Sequence, residues 1–211
     1  MNSCRCRDET QGSLGIVRGY MVLYILDMIK FEQSKYCTEL SKHKKHHAAG
    51  QFLLRRVLGE EAYVQAEFAK RDHGKPYIVG QPIHYNISHS GQYVVLVTAK
   101  TEVGVDVQEK KPARMEAMAK RFFSKEEWQA FLACDSEEEK KDLFYYIWCR
   151  KEAYGKYLGT GLNAEVLQTN VLVDLEDVQF IEYEAVEGYQ ISICCGKEES
   201  IEEVVSVFEG L

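Results

Sequence analysis

Residues 21–29, MVLYILDMI, form an apolar run interrupted at Asp27, and their Val, Tyr and Ile content predicts a β-strand. From Thr38 to Leu58 apolar residues recur at helical spacing, with Leu40, Ala48, Phe52, Leu53 and Val57 as candidate core positions. YVQAEFAKRDHGKPYI then reads as a hairpin, because DHGKP gathers turn formers between two β-prone runs. HYNISHSG follows. QYVVLVTA is the clearest strand in the chain, and VGVDVQ is a shorter one that ends in charges and Pro112. Ser124 and Glu127 make an S-x-x-E capping box, which predicts a helix over SKEEWQAFL. A longer helix is predicted from about Ser136 to Leu158. On it Leu143, Ile147, Tyr154 and Leu158 fall within about 60° of arc, at about 100° per residue. Trp148, Glu152 and Lys156, at i, i+4 and i+8, project from roughly the opposite side. From Val171 to Phe208 several short runs alternate apolar and polar residues, which predicts three or four antiparallel strands. The order is strand, helix, strands, helices, strands, with no repeating βαβ unit, so the fold class is α+β rather than a doubly wound sheet.

Composition narrows the function more than the fold. At 211 residues and 45% hydrophobic, the chain supports one compact unit or two lobes of about 100 residues each. Three prolines and no low-complexity tract leave little room for a linker. The net charge of −7 argues against nucleic acid as a partner, since phosphate-backbone binding needs clustered Lys and Arg. Seven cysteines without a CxxC pair suit a reducing compartment and predict a cytoplasmic protein. No run of about 20 apolar residues exists, so no membrane span is expected. Residues 1–20 are polar and contain glycine, as in a flexible leader.

The candidate chemistry lies in three separated segments. Asp106 sits among apolar residues on a strand, where an unpaired charge is costly and something must compensate it. It is either a structural aspartate or a ligand for magnesium, which takes hard oxygen donors beside substrate phosphates. Glu152 is the natural second ligand, although with Lys156 it also forms an ordinary i, i+4 pair. Trp148 on the same face favours a face turned to a cleft over one turned to water. Ser88, His89 and Ser90 lie where a strand gives way to a turn and could meet an anion, while Lys75 is constrained by Pro76. In KHKKHH, His43 and His47 have zinc-binding spacing but no evident third ligand. An acid pair, lysines and a histidine beside small hydroxyls make an inventory for phosphate transfer. A magnesium-dependent nuclease draws on the same inventory, though the acidic net charge speaks against it.

Four segments in order, GKPYI, YNISHSG, GVDVQ and WCRKEAYGK, resemble the motifs of the 4'-phosphopantetheinyl transferases of the surfactin-synthetase-activating type. Those motifs run roughly GKP, FNISHS, (V/I)G(V/I)D(I/V)E and W-x-x-KE-(A/S)-x-x-K, and AKRFFSKEEW between the last two is also similar. The resemblance implies two similar α+β halves about a pseudo-twofold axis, here 21–103 and 104–211, the second carrying the metal site. It implies transfer of the phosphopantetheine arm of coenzyme A to a serine of an apo carrier protein, with release of 3',5'-ADP, by a monomeric, magnesium-dependent enzyme.

Residue by residue, Asp106 and Glu152 match the metal ligands, and Lys151 and Lys156 match the lysines of the KE motif. Lys75, Pro76, Ser88 and His89 match positions around coenzyme A, and Lys42 or Lys45 could reach its 3'-phosphate. Glu152, Lys156 and His89 are the expected catalytic residues, with Glu152 or a bound water taking the serine proton. Trp148 is expected to pack against the cleft wall and keep Glu152 aimed. The family's third acid is Gln108 here, whose amide oxygen could reach magnesium directly or through water; the exchange leaves room for a carrier-binding module without catalysis. Glu109 would point to the other strand face. Carrier proteins of this kind are acidic, so the basic segment 110–125, with Lys110, Lys111, Arg114, Lys120, Arg121 and Lys125 against Glu116, is the expected docking surface.

Overall fold

The computed structural model describes residues 21–37, 42–112, 114–184 and 186–207; the expected leader and the core position Leu40 lie outside them. Strand β1 (Met21–Asp27) is apolar along its length because both its faces are covered. Val22, Tyr24 and Leu26 enter one core, and Met21, Leu23 and Ile25 enter another. Asp27 ends the strand by starting helix α1 (Met28–Gln33): its Oδ1 accepts the Ile29 N–H at 2.8 Å. Helix α2 (Lys42–Leu58) lays Ala49, Leu53, Leu54 and Val57 into the first core, with Ala48 and Phe52 half-buried.

The expected hairpin is shorter than its apolar pattern. Gly59, at φ 83°, breaks the chain after α2, and Glu60 and Glu61 open a new helix, α3 (Glu60–Gln65). Acidic residues in a first helical turn meet the positive end of its dipole, which favours that start. Only β2 (Phe68–Lys70) and β3 (Pro76–Ile78) remain to pair. Next come β4 (His84–Ser90), β5 (Tyr93–Ala99) and β6 (Val103–Glu109). Helices α4 (Met115–Phe122), α5 (Lys125–Leu132), α6 (Glu137–Leu158) and α7 (Ala164–Gln168) follow, α5 beginning in the expected capping box. Strands β7 (Val178–Glu182), β8 (Tyr189–Gly196) and β9 (Ile201–Ser206) close the described chain.

Two sheets result, ordered β4-β5-β1-β9 and β6-β8-β7, beside the small β2-β3 pair. β7 and β8 are antiparallel as expected, but β9 leaves them and runs parallel to β1. The reason is that β9 also carries two apolar faces: Val204 joins the core between the sheets and Val205 the core beneath α2.

The inter-sheet core sets the address of the site. Val103, Val105 and Val107 of β6 point into it with Ile191 and Ile193 of β8. Strand alternation therefore sends Gly104, Asp106 and Gln108 to the opposite face, against α6. At Gly104 a Cβ would lie 2.1 Å from the Ala153 carbonyl oxygen and 2.4 Å from the Tyr157 nitrogen, so strand and helix touch backbone to backbone. Helix α6 is accordingly enclosed on several sides. Its buried residues are Phe144, Tyr145, Ile147, Cys149, Lys151, Ala153 and Gly155, while Leu143, Tyr154 and Leu158 are half-buried. One apolar stripe does not describe a helix gripped between a sheet and neighbouring helices.

Candidate active site

Asp106 is 2% exposed, and its charge is compensated by three donors. Oδ1 accepts from Ser88 Oγ at 2.7 Å and Lys156 Nζ at 2.6 Å, and Oδ2 accepts from Gln108 Nε2 at 2.7 Å. An ionised carboxylate can only accept, so Gln108 presents its NH2 end to Asp106. Ser88 Oγ also accepts from Lys156 Nζ at 2.8 Å and from the Val107 N–H at 3.3 Å. Lys156 gives a further hydrogen bond to the Val105 carbonyl at 3.0 Å. Glu109 is elsewhere, paired with Lys111 at 3.3 Å, as strand alternation requires.

Glu152 lies one turn before Lys156 on α6. Half-buried, its carboxylate takes no hydrogen bond or ion pair from any described residue. Burial, and then the negative charge of Asp106, push its carboxyl above the usual range, with Lys156 pulling the other way. His89 follows Ser88 in β4 and so emerges on the other strand face. Its ring stacks on that of His46 with centroids 4.8 Å apart, and His46 Nε2 lies 3.0 Å from the Gly91 carbonyl oxygen. Partial burial, then His46 and Lys156, hold His89 below the ordinary histidine pKa.

The free edge of β6 explains why motif residues converge there. An edge strand leaves the N–H and C=O of alternate residues unpaired. Val103 O accepts from Lys75 and Val105 O from Lys156. The N–H groups of Val105, Val107 and Glu109 donate to Asn86 Oδ1, Ser88 Oγ and Ser90 Oγ. Side chains complete the strand where a neighbouring backbone is missing.

Two further lysines matched by resemblance also hydrogen-bond within the protein. Lys75 Nζ donates to Glu102 Oε2 at 2.7 Å, Val103 O at 3.0 Å and Tyr157 O at 3.2 Å. Burial lowers its pKa against the pull of Glu102, which also pairs with Arg71 and His84. Lys75 thus ties the GKP turn, with Pro76 opening β3, to the start of β6 and the end of α6. Lys151 is fully buried on a different side of α6. It pairs with Glu127 at 2.9 Å and donates to the carbonyls of Val166, Leu167 and Thr169 at 3.1, 3.0 and 2.8 Å. Its three N–H groups face protein acceptors, so Lys151 braces α6 against α5 and α7.

Other expectations fall unevenly. Trp148 stacks on Phe144 and meets Phe122 edge-on, and so belongs to the aromatic core beneath α4. In the basic segment Lys110 is paired with Asp142 at 2.8 Å, while Lys120, Arg121 and Lys125 are exposed. Lys45 pairs with Glu32 at 3.0 Å. The side chains of Lys42 and His43 lie outside what is described, and no group of three His, Cys, Asp or Glu residues suited to a metal occurs among the described residues. Sequence reasoning passed over His46, Glu102 and the second role of Glu127; the run of charged residues hid the first, and no motif marked Glu102.

Comparison with known proteins identifies the family. The profile of the 4'-phosphopantetheinyl transferase superfamily matches residues 102–205, from the start of β6 through β9. The chain is 30% identical over 200 residues to the 4'-phosphopantetheinyl transferase Sfp of Bacillus subtilis, covering 86% of this chain and 88% of that one. It is 27% identical to ffp of Bacillus subtilis, covering 87% and 89%. It is 30% identical to gsp of Aneurinibacillus migulanus, covering 69% and 66%. The chain belongs to the 4'-phosphopantetheinyl transferase superfamily, of the surfactin-activating type.

Proposed function

We propose that this 4'-phosphopantetheinyl transferase, which uses coenzyme A to modify carrier proteins, depends on magnesium held by Asp106 and Glu152. The observation that carries the reading is the Glu152 carboxylate, unpaired and raised in pKa by burial and by Asp106. Two carboxylates close enough to repel each other are hard oxygen donors with excess negative charge. Magnesium is commonly held by one or two carboxylates with substrate phosphates completing its shell, so the donor set fits. The ion would supply positive charge to the coenzyme A pyrophosphate as transfer proceeds.

The chain's own groups do the rest. The carrier serine oxygen bonds to the β-phosphorus of coenzyme A, and the bond from that phosphorus to the bridging oxygen breaks, releasing 3',5'-ADP. Glu152, or a bound water, takes the serine proton. Lys156 reaches the phosphate oxygens from the next turn of the same helix and stabilises the leaving group. His89 orients the pyrophosphate. Ser88 and Gln108 hold Asp106, while Lys75 ties down the last turn of α6 and Lys151 braces the helix against α5 and α7. A monomer in the cytoplasm belongs to the same reading; among the described residues no helix is long and apolar enough to cross a membrane.

Mixing the protein with coenzyme A, an apo carrier protein and magnesium is expected to raise the carrier's mass by one phosphopantetheine unit. Chelation should abolish the gain and added magnesium restore it; an undiminished gain under chelation would refute the metal assignment.

Gln108→Glu sets a second carboxylate against Asp106. It is expected to lower the magnesium concentration for half-maximal rate and to lower the melting temperature without the ion. An unchanged or increased magnesium requirement would remove position 108 from the metal site.

The exposed cations Lys120 and Arg121 suit an acidic carrier, and steering by such a patch acts on encounter. Reversing both to glutamate is expected to raise the carrier KM about tenfold or more at low salt while sparing the KM for coenzyme A. Steady-state kinetics over a carrier titration test this, and an unmoved carrier KM would refute docking there.

A further inference from the structure

β4 and β6 belong to different sheets, and their contact is made by a row of side chains. Asn86, Ser88 and Ser90 share one face of β4 and accept the N–H groups of Val105, Val107 and Glu109 at 3.0, 3.3 and 3.0 Å. Each pair is 19 residues apart, so the two strands advance together in a fixed register. His84 continues the row one step back, reaching Glu102 at 2.9 Å. The other face of β4 is occupied: Tyr85 and Ile87 pack beneath α2, and His89 stacks on His46.

We propose that Asn86 and Ser90 are positioning residues for the transfer reaction, setting the register of β6 on β4 so that Asp106 meets Ser88 and Lys156. The proposal rests on the reading of Asp106 as a site residue. Side chains alternate along a strand, so a one-residue slip would turn Asp106 towards the valine face and a valine towards Lys156. Packing alone is a weak guard against smaller shifts, because Val103, Val105 and Val107 present near-identical surfaces to the inter-sheet core. The N-x-S-x-S pattern supplies the discrimination: three acceptors at strand spacing meet three N–H groups at strand spacing. Ser88 is the middle rung and the one that touches Asp106. Asn86, 5% exposed, and Ser90 flank it and act on the site only through β6.

The test uses the full chain with Asn86→Ala, Ser90→Ala and the hydroxyl-retaining Ser90→Thr, against Leu53→Ala as a core variant that removes none of the seam's hydrogen bonds. Turnover is measured at saturating coenzyme A and magnesium, well below each melting temperature, and amide exchange is followed by NMR. Both alanine variants are expected to lower kcat about tenfold or more, as small misplacements of catalytic groups do, with the KM for coenzyme A within about twofold. Exchange at Val105, Val107 and Glu109 should quicken about tenfold. Ser90→Thr should restore both, and Leu53→Ala should lose melting temperature with kcat retained. Unchanged protection of the three amides, full turnover despite lost protection, or an equal kcat loss in Leu53→Ala would each overturn the proposal. A parallel Asp106→Ala arm separates the causes: full activity there refutes the site reading itself, whereas full activity confined to the seam variants refutes only the positioning role.

Discussion

Asp106→Ala is expected to cut the rate of carrier modification by at least about 10²- to 10³-fold, the range for removing one preorganised electrostatic group. The size of the effect follows from how much converges there. Oδ1 and Oδ2 together receive Ser88, Lys156 and Gln108, so the substitution deletes a proposed metal ligand and frees the ammonium that faces it. Because the side chain is buried, Asp106→Asn is the better companion variant, keeping shape and losing charge. Both should retain native circular dichroism, and both should fail in the mass assay. A near wild-type rate in either, with the fold intact, would refute the assignment.

The largest expected loss of stability lies away from the chemistry. Lys151→Met leaves Glu127 fully buried without its cation, and removing one partner of such a pair typically costs about 3–5 kcal/mol. For a domain of this size that corresponds to a fall in melting temperature of about 6–20 °C. Glu127 retains two backbone donors, Ser124 N–H at 2.7 Å and Val171 N–H at 2.8 Å, so local collapse cannot hide the vacancy. Calorimetry reads the shift directly. If Lys151 instead served coenzyme A, the variant would melt normally and show a raised KM for coenzyme A.

That contrast shows where sequence reading succeeds. Asp106 was legible because an acid on an otherwise apolar strand demands an explanation, and Glu152 with Lys156 because helical spacing aligns them. β1, β5 and β6 announced themselves through β-branched runs, and the Ser124–Glu127 box marked the start of α5. The buried cage around Lys151 was not legible, because its motif neighbours Glu152 while the helix turns it about 100° away, towards carbonyls distant in sequence. α3 was hidden because Tyr63 and Val64 suit a strand as well as a helix. The stripe proposed for α6 failed because a helix with neighbours on several sides has no single apolar face. The partner of β9 could not be read at all, since local alternation predicts a strand but not which sheet it joins.

That last pairing bears on how the protein can be divided. A cut between residues 103 and 104 separates β9 from β1, although the two strands pair in parallel from Met21 to Ile25. The first fragment would expose the bare edge of Met21–Asp27, and the second would trail an apolar ribbon with nothing to zip against. Each piece would therefore lack a strand partner that the other supplies. Engineering that swaps one lobe between relatives must carry the final strand with the lobe it clasps.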